Sequence, residues 1–144
     1  MIKGLLACLL LPAAAFAQHT TSPSKPHPKP IKVQYGIASY YAAKFEGRKT
    51  FTDEIFHEDS LTAASNTLPM HTWVRVTNLR NKRTVIVRIN DKMHPRNRRL
   101  IDLSRAAAEV LGFAGRGLTR VRVDVLGKKK PAEDTAGVSI QNEK

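Results

Sequence analysis

From Thr72 to Asn90 apolar and polar side chains alternate with a period of two, interrupted once by Arg80-Asn81-Lys82-Arg83. Alternate side chains on a strand point to opposite faces, so this pattern predicts a hairpin with one face in the core. Its strands are Thr72 to Leu79 and Thr84 to Asn90, joined by the Arg80–Arg83 turn. Val74, Val76, Val85, Val87 and Ile89 then face inward, and Arg75, Thr77 and Arg88 face outward. The same alternation returns from Leu118 to Leu126, with Val121, Val123 and Val125 inward and Arg120, Arg122 and Asp124 outward.

Shorter signals complete the set. Tyr35 to Tyr41 has the β-branched and aromatic content of a first strand. Lys44 to Ser60 is irregular and polar, and Leu61 to Ala64 reads as a short strand that stops before Pro69. Arg99 to Asp102 reads as an inner strand. Ser104 is placed to cap a helix from Arg105 to Leu111, and Gly112 to end it. Trp73 and Ala106 to Ala108 read as packing residues, with stacking on a sugar face the alternative for an exposed Trp73. About six strands and one short helix in fewer than a hundred residues describe an all-β domain, and the pattern is compatible with both a small barrel and a sandwich.

The two ends differ from this core. Lys3, the apolar run Leu5 to Phe16 and the triplet Ala15-Phe16-Ala17 have the layout of a cleavable export signal over residues 1–17. Cys8 lies too early in that run for a lipid-modification site. With the signal removed the protein keeps no cysteine, so disulfides contribute nothing. Residues 18–33 alternate proline with polar residues and form an extended linker. His19 and His27 within it are solvated, and no metal or cofactor is assigned. The domain spans 34–127, and the basic tail 128–144 has no periodicity. The net charge is +12, or +11 after loss of Lys3 (12 − 1). Export turns that charge away from nucleic acid and toward anionic envelope polymers. A monomer without membrane insertion, periplasmic or extracellular, is expected.

Val87-Arg88-Ile89-Asn90-Asp91, followed by Leu100-Ile101-Asp102-Leu103-Ser104-Arg105-Ala106-Ala107-Ala108, resembles the rare lipoprotein A family of septal cell-wall proteins. Gly36 to Tyr41, Phe45 to Thr50, Leu61 to Ala64 and Leu68-Pro69 match in the same order, so the resemblance covers nearly all of Tyr35 to Leu126. It implies a six-stranded double-psi β-barrel. It also implies endolytic cleavage of peptidoglycan glycan by lytic transglycosylation, with peptidoglycan strands as partner and no cofactor.

A lytic transglycosylase needs one carboxyl that first donates a proton to the leaving oxygen and then accepts one from the sugar's 6-hydroxyl. Asp91 matches the family's functional aspartate and is assigned that role. Glu54 matches a family glutamate that orients sugar or tunes the acid. His57, Ser65 and Asn90 are assigned to substrate binding. Two of these depart from the family, in which both positions hold polar partners of the functional carboxyl: His57 replaces an acidic or amide residue, and Ser65 replaces a histidine. Lys92-Met93-His94-Pro95 replaces Arg-Gly-Pro, and Phe51 and Asp53 stand where small residues are usual. Lys92, Arg96, Arg98, Arg99 and Arg105 cluster in sequence around Asp91, where they can grip anionic peptide stems or, by their charge, favour the ionised carboxyl and so oppose the acid role. Two alternatives accompany the enzyme reading: a non-catalytic peptidoglycan-binding module, and an expansin-like protein that loosens polysaccharide.

Overall fold

In the computed structural model, residues 32–132 are described. The expected export signal, residues 18–31 of the linker and the tail from 133 lie outside them. Six strands, β1 (Val33–Tyr40), β2 (Thr62–Ala64), β3 (Trp73–Asn78), β4 (Thr84–Asp91), β5 (Ile101–Leu103) and β6 (Thr119–Gly127), close into a barrel in the order β1-β5-β2-β4-β3-β6. Two neighbour pairs, β1 with β5 and β2 with β4, are parallel; the other four are antiparallel. Closure removes every sheet edge, and the arrangement is a double-psi β-barrel. β1 begins at Val33, one residue before the domain start expected from the sequence.

The β3–β4 hairpin has the register that its alternation predicts, with Val74 opposite Val87 and Val76 opposite Val85. Val74, Val76, Val87, Val121 and Val123 are fully buried, as are Ile89, Ile101 and Leu103. Each such side chain contributes about 1.5–3 kcal/mol by leaving water. A six-residue helix, α1 (Arg105–Val110), buries Ala107 and Ala108 against this cluster. The hydroxyl of Ser104 accepts the Ala107 N–H at 3.3 Å, and Gly112 turns the chain with φ of 72°. Buried Asn78 and exposed Asn81 both donate to the Leu111 carbonyl, at 3.0 and 2.9 Å, so the hairpin caps the helix end.

Asp124 departs from the expected alternation. It is 8% exposed, and Val125 is only half-buried. In a closed barrel β6 has neighbours on both sides, so Asp124 is flanked by Val33 of β1 and Arg75 of β3. The Arg122 guanidinium lies over it, with Nε 3.0 Å from Oδ1. A charge is tolerated there because it is paired. β1 also runs close to the segment entering β5: a Cβ at Gly36 would lie 2.5 Å from that of Leu100, so this approach requires glycine.

Candidate active-site cleft

The chemistry of the cleft begins with an irregularity in β2. Its partners on β4 run Thr62 to Arg88, Ala63 to Ile89, then Ala64 to Asp91, which skips Asn90. On its other side Ala64 is in register with Asp102 of β5. One alanine is therefore flanked by two aspartates, whose backbones stand about 10 Å apart, two strand spacings. Without the bulge, Asn90 would take the position opposite Ala64. Asp91, Ala64 and Asp102 all line a cleft of about 620 Å³, which Tyr41, Phe45 and Phe56 wall on one side.

Asp91 ends β4 and is half-buried. Its Oδ1 accepts two backbone N–H groups, from Phe51 and Lys92, each at 2.8 Å. Its Oδ2 accepts the Tyr41 hydroxyl at 2.7 Å. Among the described residues Asp91 has no cationic partner. Tyr41 follows β1, where its N–H reaches the Leu103 carbonyl at 2.9 Å. Its ring is packed by Phe56 at 4.4 Å and edge-on by Phe45 at 5.6 Å. Burial, then the bond to Asp91 and its charge, push the Tyr41 hydroxyl far above its ordinary range. Tyr41 keeps its proton and acts as a fixed donor.

Asp102 faces the same cleft in a different state. The Arg99 guanidinium grips both its oxygens, at 2.8 and 2.9 Å, and the Ser39 hydroxyl donates to Oδ1 at 2.7 Å. Asn97 adds a long contact to Oδ2. These bonds fix the guanidinium on the cleft wall and leave Asp102 little spare acceptor capacity.

Glu54 does not line the cleft. Arg88 holds it with a two-pronged ion pair, Nη1 to Oε1 at 2.8 Å, and Asn90 donates to Oε2 at 3.0 Å. The Arg88 bonds, reinforced by Asn90, pull its carboxyl from the ordinary 4.5 to about 2, outweighing partial burial. Its loop is closed by the Thr50 N–H on the Glu54 carbonyl at 2.8 Å and by a bridge between Lys49 and Ile55. That loop carries the Phe51 N–H that reaches Asp91. Glu54 thus ties to β4 the loop that orients Asp91. Asn90, 3% exposed, is part of this anchor.

His57 is exposed, and its Nδ1 lies 2.8 Å from Glu46 Oε1. The Glu58 N–H and His57 hold the Glu46 carboxyl below its ordinary range. Ser65 has no exposed surface: its hydroxyl donates to the Leu100 carbonyl at 2.8 Å and accepts the Thr67 and Leu68 N–H groups. It meets Asp91 through main chain alone, its N–H on the Asp91 carbonyl at 3.0 Å. Of the five residues assigned to the site from sequence, Asp91 is the one that lines the cleft.

The basic cluster also separates. Arg105 pairs with Glu109 at 3.1 Å along the helix, Arg99 is held by Asp102, and Lys92 lies over the Phe51 ring, 4.1 Å from its centre. Tyr41 and Asp102 are additions that sequence reasoning missed. The available signal for Asp102 was a carboxylate between two apolar residues of a strand too short to leave the core. For Tyr41 it was the second member of an aromatic pair in which β1 claims the first.

The family model described as lytic transglycolase matches residues 33–123, the whole barrel up to Val123. The chain belongs to the rare lipoprotein A family. A Pasteurella multocida relative, named endolytic peptidoglycan transglycosylase RlpA, is 54% identical over 91 residues, 63% of this chain and 31% of its own. A Haemophilus influenzae protein of the same name is 48% identical over 94 residues, 65% of this chain and 33% of its own. In Neisseria meningitidis the corresponding figures are 41% over 109 residues, 74% and 46%. The chain thus spans 31% to 46% of the length of these relatives. Among solved structures, the Streptomyces papain inhibitor shares the fold with a TM-score of 0.54 and 25% identity, over 67% of this chain and 96% of that one. An expansin from Clavibacter michiganensis, 21% identical over 70% of this chain and 52% of its own, gives a TM-score of 0.55 and shares the fold.

Proposed function

We propose that this domain is an endolytic lytic transglycosylase of exported cell-wall remodelling, cutting peptidoglycan glycan with Asp91 as the group that moves the proton. The observation that carries the reading is the state of Asp91: a cleft carboxylate without a cationic partner among the described residues, its two oxygens held differently. Two N–H groups occupy Oδ1, which leaves Oδ2 as the oxygen able to carry a proton. Tyr41 fixes its direction. The names of relatives up to 54% identical support the same reaction class.

In this reaction Oδ2–H of Asp91 protonates the glycosidic oxygen as the C1–O bond breaks and positive charge develops on the muramoyl ring. The carboxylate left behind then takes the proton of that ring's 6-hydroxyl, whose oxygen closes on C1. Water is not consumed, the acid is regenerated, and the product ends in a 1,6-anhydromuramoyl residue. Proton transfer by a positioned group accelerates such steps by about 10²–10⁴-fold. Arg99, held by Asp102, supplies hydrogen-bond donors to sugar oxygens at the opposite wall.

Purified protein incubated with glycan strands and followed by mass spectrometry should release 1,6-anhydro fragments. Reducing-end fragments or none would overturn the reading. One observation favours a second one, a non-catalytic glycan-binding module. Ser65 and His57 stand where the family resemblance expects polar partners of the acid, yet Ser65 is spent on main chain and His57 on Glu46. Sacculi that retain the protein without release of anhydro ends would select that alternative.

A further inference from the structure

The two N–H groups that hold Asp91 Oδ1 belong to Phe51 and Lys92, and the side chains of these residues also meet: the Lys92 ammonium lies over the Phe51 ring, 4.1 Å from its centre. Phe51 is 58% exposed, and among the described residues its ring packs on no other ring. A phenyl group left in water forgoes the burial that Phe56 and Phe113 gain. The backbone that carries it is fixed. The Thr50 N–H on the Glu54 carbonyl, at 2.8 Å, and the Asp53 N–H on the Thr50 carbonyl, at 3.1 Å, close a tight turn, which the Glu54–Arg88 pair ties to β4. The ring is therefore held out of the core, one side-chain length from the Asp91 carboxyl, and Lys92 links it to the cleft that Lys92 lines. Tyr41, Phe45 and Phe56, on the cleft wall, are instead packed against one another.

We infer that Phe51, braced by Lys92, is a stacking platform for a sugar next to the scissile bond, and so a residue that sets how tightly this domain holds the glycan. The inference rests on the reading of the Asp91 cleft as a glycan site. A pyranose ring presents a face of C–H groups, apolar and slightly positive, which packs on the negative face of an aromatic ring. The ammonium steadies the phenyl ring by a cation–π contact, so less freedom is lost when a sugar settles on it. Its N–H groups remain free to donate to sugar oxygens.

The test measures affinity by co-sedimentation of the purified protein with sacculi on ice, then kcat and KM for release of anhydro fragments from glycan strands. Phe51→Ala should weaken binding about tenfold and raise KM more than it lowers kcat. Phe51→Leu keeps apolar bulk without a flat face and should bind nearly as weakly, whereas Phe51→Trp should bind at least as tightly as wild type. Lys92→Met should cost about threefold. With the Trp73 signal of the wild type subtracted, the emission of Phe51→Trp should move to shorter wavelength when glycan strands are added. Circular dichroism checks that the fold is kept. Unchanged or tighter binding by Phe51→Ala, wild-type affinity in Phe51→Leu, or an unmoved emission overturns the inference alone. So does a larger loss from Lys92→Met than from Phe51→Ala, which would make the contact one of charge. Wild-type protein that binds sacculi but releases no anhydro ends overturns the catalytic reading, while the affinity series still decides this inference. Wild-type protein that does not bind glycan overturns both.

Discussion

The two aspartates that flank Ala64 share a cleft, a strand neighbour and a family match, yet their surroundings make them different reagents. Asp102 is chelated by Arg99 and bonded by Ser39, an arrangement that ties the β5 entry to β1 and holds a guanidinium in place. Asp91 receives main-chain N–H groups on one oxygen and the protonated Tyr41 hydroxyl on the other. A carboxylate gripped two-pronged by arginine is an anchor, because a proton on it would break the pair. One oriented by neutral donors can exchange a proton without losing a partner charge. Glu54, chelated by Arg88, falls on the anchor side.

Substitutions that exchange these roles would break the comparison. The largest effect is expected from Asp91→Asn, which should lower release of anhydro fragments by about 10²–10⁴-fold while leaving the thermal midpoint nearly unchanged. Tyr41→Phe keeps the ring packing and removes the Oδ2 donor. It should cost about tenfold in kcat, roughly 1.4 kcal/mol, with little change in KM. Asp102→Ala should act the other way. Leaving Arg99, 38% exposed, and buried Ser39 without their shared acceptor should lower stability by about 1 kcal/mol, read by urea unfolding.

The smallest effect belongs to Glu54→Gln, at about 1 kcal/mol or less, because the Arg88 pair is partly exposed. Its pH dependence has a defined sign. Folding lowers the Glu54 carboxyl from 4.5 to about 2, so its stabilisation is complete above about pH 4.5 and drains away as pH falls toward 2. Thermal midpoints of wild type and Glu54→Gln should therefore differ at neutral pH and converge near pH 2.

The barrel strands were legible because their signal is local. Val74, Val76, Val85, Val87 and Ile89 declare their face by alternation alone, and Ser104 and Gly112 mark the helix ends by their own conformational preferences. The site was legible only at Asp91, and there through family resemblance. Tyr41 and Asp91 are separated by 50 positions, and Ser39 and Asp102 by 63. Their pairing depends on barrel register and on the bulge that skips Asn90. No window of the sequence contains that register. Ser65 illustrates the same limit from the other side: its position beside Asp91 was readable, but the inward turn of its hydroxyl toward Leu100 was not. Asp124 misled for a related reason, since closure puts neighbours on both sides of β6.

The most direct test of the central claim is a side-by-side product analysis of wild type, Asp91→Asn and Asp102→Asn on the same glycan strands, by mass spectrometry below the unfolding temperature of each. The account predicts 1,6-anhydromuramoyl ends from wild type, their near-complete loss in Asp91→Asn with sacculus binding retained, and measurable release from Asp102→Asn. Equal loss in both variants, or undiminished release from Asp91→Asn, would contradict it.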